Sequence, residues 1–350
     1  MNHILFDCER TKYPNTGLFQ FCLELGNALI SLRDPQKEEL LFYVPEKQRQ
    51  LFGNGQQYVI QNHLHKFFQF QTGRFKLWHN TYQSSKYHPY DKNVKEVITL
   101  HDLNFLVEHK NDLKKLKRYL RQVQKNVDRA DHVVCISEFT KNTVLEHLKL
   151  GDKPMDTIYN GCNINIFEGD VQPEYEPAKP FIFSIGRVVP LKNLHVLPCL
   201  LDGNDYDLII AGEANVEYET KIRQQAKLLG VEDRVKIPGI ISERDKSWYY
   251  KNCAAFVFPS LAEGFGFPLV EAMFYGKPVF ISTSSSLPEI GGSLAYQFDN
   301  FDCAHMREVF ARGMQHFEEY RPGELLHQRA LRFSWQQTAK DYLAIYRQLF

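Results

Sequence analysis

The sequence predicts an α/β protein built from two Rossmann-like domains, and three observations carry that expectation. Short apolar runs alternate with helical stretches through both halves, the pattern of parallel sheets covered by helices on both faces. The segment GDVQPEYEPAKP interrupts the pattern near the middle with three Pro, several acids and no periodicity, and reads as a linker. The length, 350 residues, suits two domains.

The elements follow in order. HILFDC is a first strand, and the loop ERTKYPNTG leads into a helix in which Phe21, Leu25 and Leu29 recur at helical spacing. ELLFYV is a second strand, and YVIQ reads as a short edge strand. Residues 62–90 are aromatic and basic, and match neither period. VKEVITLHD reads as a strand running into a loop, residues 110–130 as a helix, and DHVVCIS as a strand. SEFTKNTVLEHL is a helix capped by Ser137 or Thr140, and MDTIYNG closes the half with a strand and a turn. After the linker come the strands PFIFSIG, YDLIIAG, VKIPG, AAFVFPS, KPVFIS and LAYQF. The helices between them include ETKIRQQAKLLG, stopped by Gly230, RDKSWYYKN and PLVEAMFYG. From Gln328 to Phe350 the chain is helical again, with Trp335, Tyr342, Ile345, Tyr346 and Leu349 predicting a packed face.

Composition excludes several classes. Lys plus Arg equal Asp plus Glu at 42 each, so no overall basic field asks for nucleic acid. The seven Cys are scattered without a CxxC pair, which suits free, mostly buried thiols rather than a zinc site or a disulfide framework. The N-terminus turns polar too soon for a signal peptide, and no apolar run approaches the roughly 20 residues that span a bilayer. The expected location is therefore cytoplasmic, with contact at the inner membrane face left open.

The densest chemistry lies in PSLAEGFGFPLVEAMFYGKPV. A buried strand ends at Pro259, a Gly-rich loop carries Glu263, and a helix starting near Pro268 carries Glu271 about its first turn. Gly264 and Gly266 admit a ligand close to the backbone, and the N–H groups of Phe265, Gly266 and Phe267 would face it at the sheet's carboxyl end. The bland account is a surface loop with acids at a helix start, but two carboxylates, two Gly and a Pro in so short a span favour a site. Arg187 and Lys192 follow the strand FIFSIG on a loop at the same end. Two cations there would stabilise the charge that develops on a departing diphosphate, whereas isolated surface cations would be merely solvated. His101 ends another strand, and a neutral imidazole can donate to or accept from a hydroxyl near pH 7.

These motifs resemble the retaining GT-B glycosyltransferases of family 4. Glu263 and Glu271 match that family's E-x7-E pair, with AMFYGKPV following, and Arg187 and Lys192 match its GR-x-x-x-x-K segment. IIAGEA, VKIPGII, FSWQQTAKDY, TLHDLNFL, VVCISEFTKNTV and IYNGCN extend the likeness over nearly the whole chain. The resemblance implies a GT-B fold with a cleft between the domains. It divides the chain into an acceptor-side domain, 1–170, a nucleotide-sugar domain, 178–330, and a packing helix, 331–350. It assigns Glu271 to the donor ribose, Glu263 and His101 to the transferred sugar, and Arg187 and Lys192 to the pyrophosphate. Gly239, Ile240 and Ile241 would meet the base through their backbone, with Leu261 and Ala262 as weaker lining. No DxD tripeptide is present, and the family needs no metal or other cofactor for chemistry. Retention by front-face attack or by double displacement stays open.

One departure stands out. Many relatives carry two adjacent Gly in the first loop, whereas this chain has Asn15, Thr16 and Gly17, so Gly17 and the helix-opening N–H groups are the local candidates for phosphate or acceptor contact. Phe67, Phe68, Phe70, Trp78, Tyr82, Tyr87 and Tyr90 offer faces for an acceptor sugar. The basic stripe Lys110, Lys114, Lys115, Lys117, Arg118, Arg121, Lys125 and Arg129 is either a solvated face or an attraction to anionic lipid or a lipid-diphosphate acceptor. The expected activity is transfer of a hexose, mannose or glucose, from GDP-mannose or a UDP-glucose-type donor to a saccharide or lipid-linked glycan of a surface polysaccharide such as lipopolysaccharide. The alternatives are an epimerase-like GT-B enzyme and a nucleotide-sugar-binding protein without turnover. A dehydrogenase is disfavoured because no GxGxxG follows the first strand.

Overall fold

The computed structural model describes residues 1–14, 16–68, 74–167 and 172–350; Asn15, Phe70 and linker residues 169–171 lie outside them. The chain forms two compact units, Met1–Asn163 with Phe333–Phe350, and Ile164–Arg332.

The first unit opens with β1 (Asn2–Asp7), α1 (Gly17–Leu32), β2 (Glu38–Val44), β3 (Gln57–Ile60), β4 (Leu77–Asn80) and β5 (Lys95–Leu100). It continues with α2 (Phe105–Glu108), α3 (Leu113–Arg129), β6 (His132–Cys135), α4 (Glu138–His147) and β7 (Met155–Thr157). Its strands pair in parallel in the order β3-β2-β1-β4-β5-β6-β7, so β3 is indeed an edge strand. Ser137, not Thr140, caps α4, its hydroxyl accepting from the Thr140 N–H. The strand β4 lies in the stretch whose periodicity gave no assignment. All four of its residues, LWHN, are buried, so polar His79 and Asn80 sit where a sheet interior normally shows only apolar side chains.

The second unit comprises β8 (Phe181–Ile185), β9 (Asp207–Ala211), α5 (Val216–Leu228), β10 (Val235–Gly239), α6 (Glu243–Asn252) and β11 (Ala255–Phe258). Then come α7 (Phe267–Phe274), β12 (Val279–Ser282), α8 (Leu287–Gly291), β13 (Tyr296–Phe298), α9 (Cys303–Tyr320) and α10 (Gly323–Ala330). The parallel order is β10-β9-β8-β11-β12-β13. In both units the strand order reverses beside the first strand, at β1/β4 and at β8/β11, and ligands of doubly wound sheets bind beyond the carboxyl ends there. Helix α9 was not evident in the sequence. Only the narrow stripe Met306, Phe310 and Gly313 is buried along it, so its apolar signal is thin.

The last helix, α11 (Trp335–Gln348), rejoins the first unit. It is a core element there rather than a surface addition: Trp335, Tyr342 and Tyr346 are buried, and Trp335 and Tyr342 meet the Phe21 ring edge-on. The Tyr346 hydroxyl lies 2.6 Å from His79 Nδ1, His79 Nε2 lies 2.8 Å from Thr99 Oγ1, and Thr99 Oγ1 lies 2.7 Å from the Tyr342 hydroxyl. This hydrogen-bonded chain satisfies the His79 ring and the Thr99 hydroxyl, which β4 and β5 bury. Burial, with a smaller contribution from His101, pushes the His79 imidazole down to about 3, so it is neutral at pH 7. Arg347 grips Glu38 with two guanidinium nitrogens, and burial of that carboxyl is outweighed, leaving it below the usual glutamate range. Five of the seven Cys are buried, Cys162 is half-buried and Cys303 exposed, all as free thiols. Among the described residues no helix is long and apolar enough to cross a membrane.

Candidate active site

In the second unit, the carboxyl end of the sheet is a row of strand ends whose backbones lock together. The Gly186 N–H, after β8, donates to the Ala211 carbonyl, and the Gly212 N–H, after β9, donates to the Gly239 carbonyl. Gly212 sits at φ +132°, and a Cβ there would lie 2.0 Å from the Gly186 oxygen, so only glycine lets these two strand ends approach. Gly239 therefore uses its carbonyl inside the unit, while Ile240 beside it is 64% exposed and Ile241 half-buried.

Arg187 and Lys192 both stand on the loop after β8. The loop is pinned on one side by Val188 N–H to Glu213 O and Asn215 N–H to Val188 O, and on the other by Leu261 N–H to Leu191 O. The second pin brings it against the loop after β11. That loop is held in turn by three serines. Ser260 Oγ donates to Leu191 O, Ser282 Oγ to Ser260 O, and Ser286 Oγ to the carbonyls of Glu263 and Phe265. The consequence is a contact between two residues singled out separately in the sequence: Lys192 Nζ pairs with Glu263 Oε1, both side chains less than a fifth exposed. The same ammonium lies 5.5 Å from the centre of the Phe258 ring. Lys192 and Glu263 thus flank the β8/β11 reversal as a preformed ion pair, rather than as separate groups each awaiting ligand. Arg187, in contrast, is exposed.

Gly266 caps α7 at φ +99°, and a Cβ on it would come within 2.8 Å of Leu287 Cδ2. This conformation turns the chain sharply from the loop into the helix, with Phe267 and Pro268 opening it and buried Phe265 just before it. Glu271 lies in the second turn of α7, not the first, because the helix begins at Phe267. Its carboxylate is held from both sides: Lys246 Nζ donates to Oε1 at 2.9 Å, and the Tyr250 hydroxyl donates to Oε2 at 2.7 Å. Burial works against the Lys246 ammonium, but Glu271 and Glu243 outweigh it and raise its pKa above the ordinary lysine value. Lys246 and Tyr250 were missed from the sequence. They sit one turn apart on α6, and nothing in RDKSWYYKN marks that face as meeting α7.

The first unit carries the remaining candidates. His101 follows β5 and is 7% exposed. Its Nε2 donates to the Thr81 carbonyl at 2.9 Å, its backbone N–H donates to Gln83 Oε1 at 3.4 Å, and its ring meets Phe21 edge-on at 4.6 Å. With Nε2 spent on a carbonyl, Nδ1 is the acceptor. Burial drives the imidazole down to about 4, with the Thr81 contact opposing and the Arg10 charge adding, so His101 is neutral at pH 7. Gly17 is the exposed first residue of α1, one turn before Phe21, which links it to His101. The Thr16 hydroxyl accepts from the Phe19 N–H at 3.2 Å, so one helix-opening donor is already used.

Beyond β1, at the first unit's own reversal point, lies a cluster the sequence reading passed over. Asp7 is buried, accepts from the Glu9 N–H at 2.8 Å, and is held well above the usual carboxylate range by burial and the Glu9 charge. Glu9 pairs with Lys12, and the Arg10 guanidinium lies over the rings of Tyr82 and Tyr13, 4.3 and 4.6 Å from their centres. The aromatic segment divides: Trp78 and Tyr87 are core residues, whereas Phe67, Phe68 and Tyr90 are exposed. Among the described residues no three His, Cys, Asp or Glu side chains gather as metal ligands.

Two doubly wound parallel sheets of this kind, in one chain, define the GT-B class of fold. The comparisons identify the family within it. Residues 28–166 match the model of Glycosyltransferase Family 4 and residues 169–299 that of Glycosyl transferases group 1, together well over half the chain, and the chain belongs to the family 4, group 1 glycosyltransferases. It is 24% identical to O-antigen chain mannosyltransferase B of Escherichia coli over 99% of this chain and 100% of that protein. It is 28% identical to the serotype-specific mannosyltransferase WbdA of Escherichia coli over 72% of this chain, a match spanning about a third of that longer relative. Among solved structures, sucrose-phosphate synthase from Thermosynechococcus elongatus superposes with a TM-score of 0.77 at 16% identity over 100% of this chain and 99% of that one. Anabaena HepE, solved with UDP and glucose, gives 0.70 at 16% identity over 99% and 100%.

Proposed function

We propose that the protein transfers a hexose from a nucleoside diphosphate sugar to a saccharide or lipid-linked glycan with retention of anomeric configuration, and that the sugar is mannose. The observation that carries the reading is the pair of carboxylates at the carboxyl end of the second unit's sheet, each already oriented: Glu263 by Lys192, and Glu271 by Lys246 and Tyr250. An acceptor-only carboxylate fixed on both oxygens suits vicinal ribose hydroxyls, which it would bind in place of water. Lys192, tied to Glu263, stands where a diphosphate leaving group would need a cation, and exposed Arg187 on the same loop adds directed hydrogen bonds as negative charge develops. Glu263 would then contact the transferred sugar. Neutral His101, with Nδ1 as acceptor, fits a sugar hydroxyl better than a proton-transfer role, because its depressed pKa leaves it uncharged at working pH. Gly239, Ile240, Ile241 and the turn Phe265, Gly266 and Phe267 would line the donor through their backbone, and Gly17 the phosphate or acceptor. Mannose is favoured over glucose by the two mannosyltransferase relatives.

The test is a thermal-shift screen of GDP-, UDP-, ADP- and dTDP-sugars, then transfer to mannose-terminated oligosaccharides with the new anomeric centre read by NMR. Stabilisation by GDP-mannose and an α-linked product support the reading. Donor binding without transfer to any acceptor would favour a sugar-nucleotide-binding protein without turnover, and an inverted product would exclude retention.

A further inference from the structure

The second unit holds a pair of thiols that the chemistry above does not use. A 3-10 helix, Leu194–Leu201, starts just past Lys192 and carries Cys199, which is 2% exposed. Cys303 is the first residue of α9, and of the seven cysteines it alone is exposed. Met306 stands one turn further along the same face of α9 and is buried, with its Sδ 3.9 Å from Cys199 Sγ. Cys199 therefore lies against the first turn of α9, where Cys303 sits. A second contact runs beside this one: Arg307 pairs with Asp202, and its Nε donates to the Cys303 carbonyl at 3.3 Å. Burial pushes the Cys199 thiol up to about 12, and neighbouring Cys303 adds to the rise through its charge and a hydrogen bond between the two side chains. A cavity of about 240 Å³, lined by Leu200, Asp202, Tyr206, Arg307, Phe310 and Met314, borders both segments and leaves them room to adjust.

We infer that Cys199 and Cys303 form a reversible oxidation site, closing an intramolecular disulfide when the protein meets a small disulfide such as oxidised glutathione. The Cys303 thiolate attacks one sulfur of oxidised glutathione, forms a mixed disulfide and expels one glutathione thiolate. Cys199 then gives its proton to solvent and attacks the Cys303 sulfur, expelling the second glutathione. Two protein thiols are oxidised, and one glutathione disulfide is reduced to two thiols. The roles follow from burial. Exposed Cys303 is the thiol that an oxidant meets, whereas buried Cys199, protonated at pH 7, reacts with a sulfur already beside it. The other adjacent pair, Cys8 and Cys22, is fully buried on both sides and offers an oxidant no such entry. The bond between Cys199 and Cys303 fastens the segment behind Lys192 to α9. The inference is independent of the proposed transfer and needs neither donor nor acceptor.

The test is to incubate the reduced full chain with oxidised glutathione, alkylate the remaining thiols under denaturing conditions, and map the peptides by mass spectrometry without reduction. The parent should yield the Cys199 and Cys303 peptides joined, less two hydrogens, and dithiothreitol should separate them. Cys199→Ser should stop at a glutathione adduct on Cys303, at about tenfold the level the parent accumulates, because the parent's second thiol acts intramolecularly. Cys303→Ser should leave Cys199 reduced. The same oxidation in urea should scatter pairing among the seven thiols, since proximity then no longer selects a partner. A parent that stops at the Cys303 adduct would overturn the inference. So would Cys199 reacting as fast in Cys303→Ser as in the parent, or the Cys199–Cys303 link forming as well in urea as in the folded chain.

Discussion

The Lys192–Glu263 pair gives a sharp quantitative expectation. Their side chains are 18% and 12% exposed, so each charge is mostly removed from water and depends on the other. Replacing Lys192 with Met keeps an unbranched apolar stem but removes the ammonium over the Phe258 ring and leaves the Glu263 carboxylate without its cation. Breaking a buried pair from one side costs about 3 to 5 kcal/mol, and residual exposure places this one near the lower end, at about 3 kcal/mol. Glu263→Gln, stranding the ammonium instead, should cost a similar amount. The double variant Lys192→Met/Glu263→Gln buries no lone charge and should cost about 1 kcal/mol, far less than the sum of the singles. Urea unfolding of the four proteins closes the cycle, and the expected coupling is at least about 2 kcal/mol. Single effects within about 0.5 kcal/mol that simply add would show that the two charges are independently solvated, and the preformed pair would be wrong.

Other consequences can be measured on the same footing. Gly266→Ala forces a side chain into φ +99° and against Leu287, so it should destabilise by about 1 to 3 kcal/mol and weaken donor binding; a neutral effect in thermal unfolding would show that the turn is not strained. Tyr346→Phe leaves His79 Nδ1 buried without its hydroxyl and should cost about 1 to 3 kcal/mol, readable in urea melts; no loss would mean the His79 chain does not hold α11. Glu96 is buried, which raises its carboxyl to about 7 against the opposing Arg129 charge. The folded state therefore keeps a proton that the unfolded state releases above the ordinary glutamate range, so this group lowers stability as pH rises from about 4.5 to 7. Glu96→Gln removes that loss: variant and parent should match near pH 4.5 and diverge above it, the variant gaining on the order of 3 kcal/mol by pH 8. A pH-independent difference would refute the buried, protonated state.

What the sequence made legible, and what it hid, has a physical pattern. Strands such as β8, β9 and β11 announce themselves because parallel strands covered on both faces are continuous apolar runs. β4 does not, because His79 and Asn80 break the run, and the groups that satisfy His79, Thr99 and Tyr346, are 20 and 267 residues away. The candidate site follows the same rule. Lys192 and Glu263 could each be found from a motif, but their pairing is set by Leu261 binding Leu191 and by serine hydroxyls from later loops, contacts no local pattern encodes. Lys246 and Tyr250 were hidden because α6 reads as an ordinary polar helix until packing turns one face to Glu271. Asp7 and Glu9 were passed over because their loop lacks the adjacent glycines of many relatives, leaving no motif to point at the first unit's reversal point.

The central claim is that the second unit's strand ends bind a nucleoside diphosphate sugar through a pre-oriented Glu271. Isothermal titration of that ligand into the parent and into Glu271→Gln tests it most directly. Gln keeps the shape but removes the charge and replaces one acceptor oxygen with a donor, so affinity should fall about tenfold or more. Equal dissociation constants for the two proteins would contradict the account.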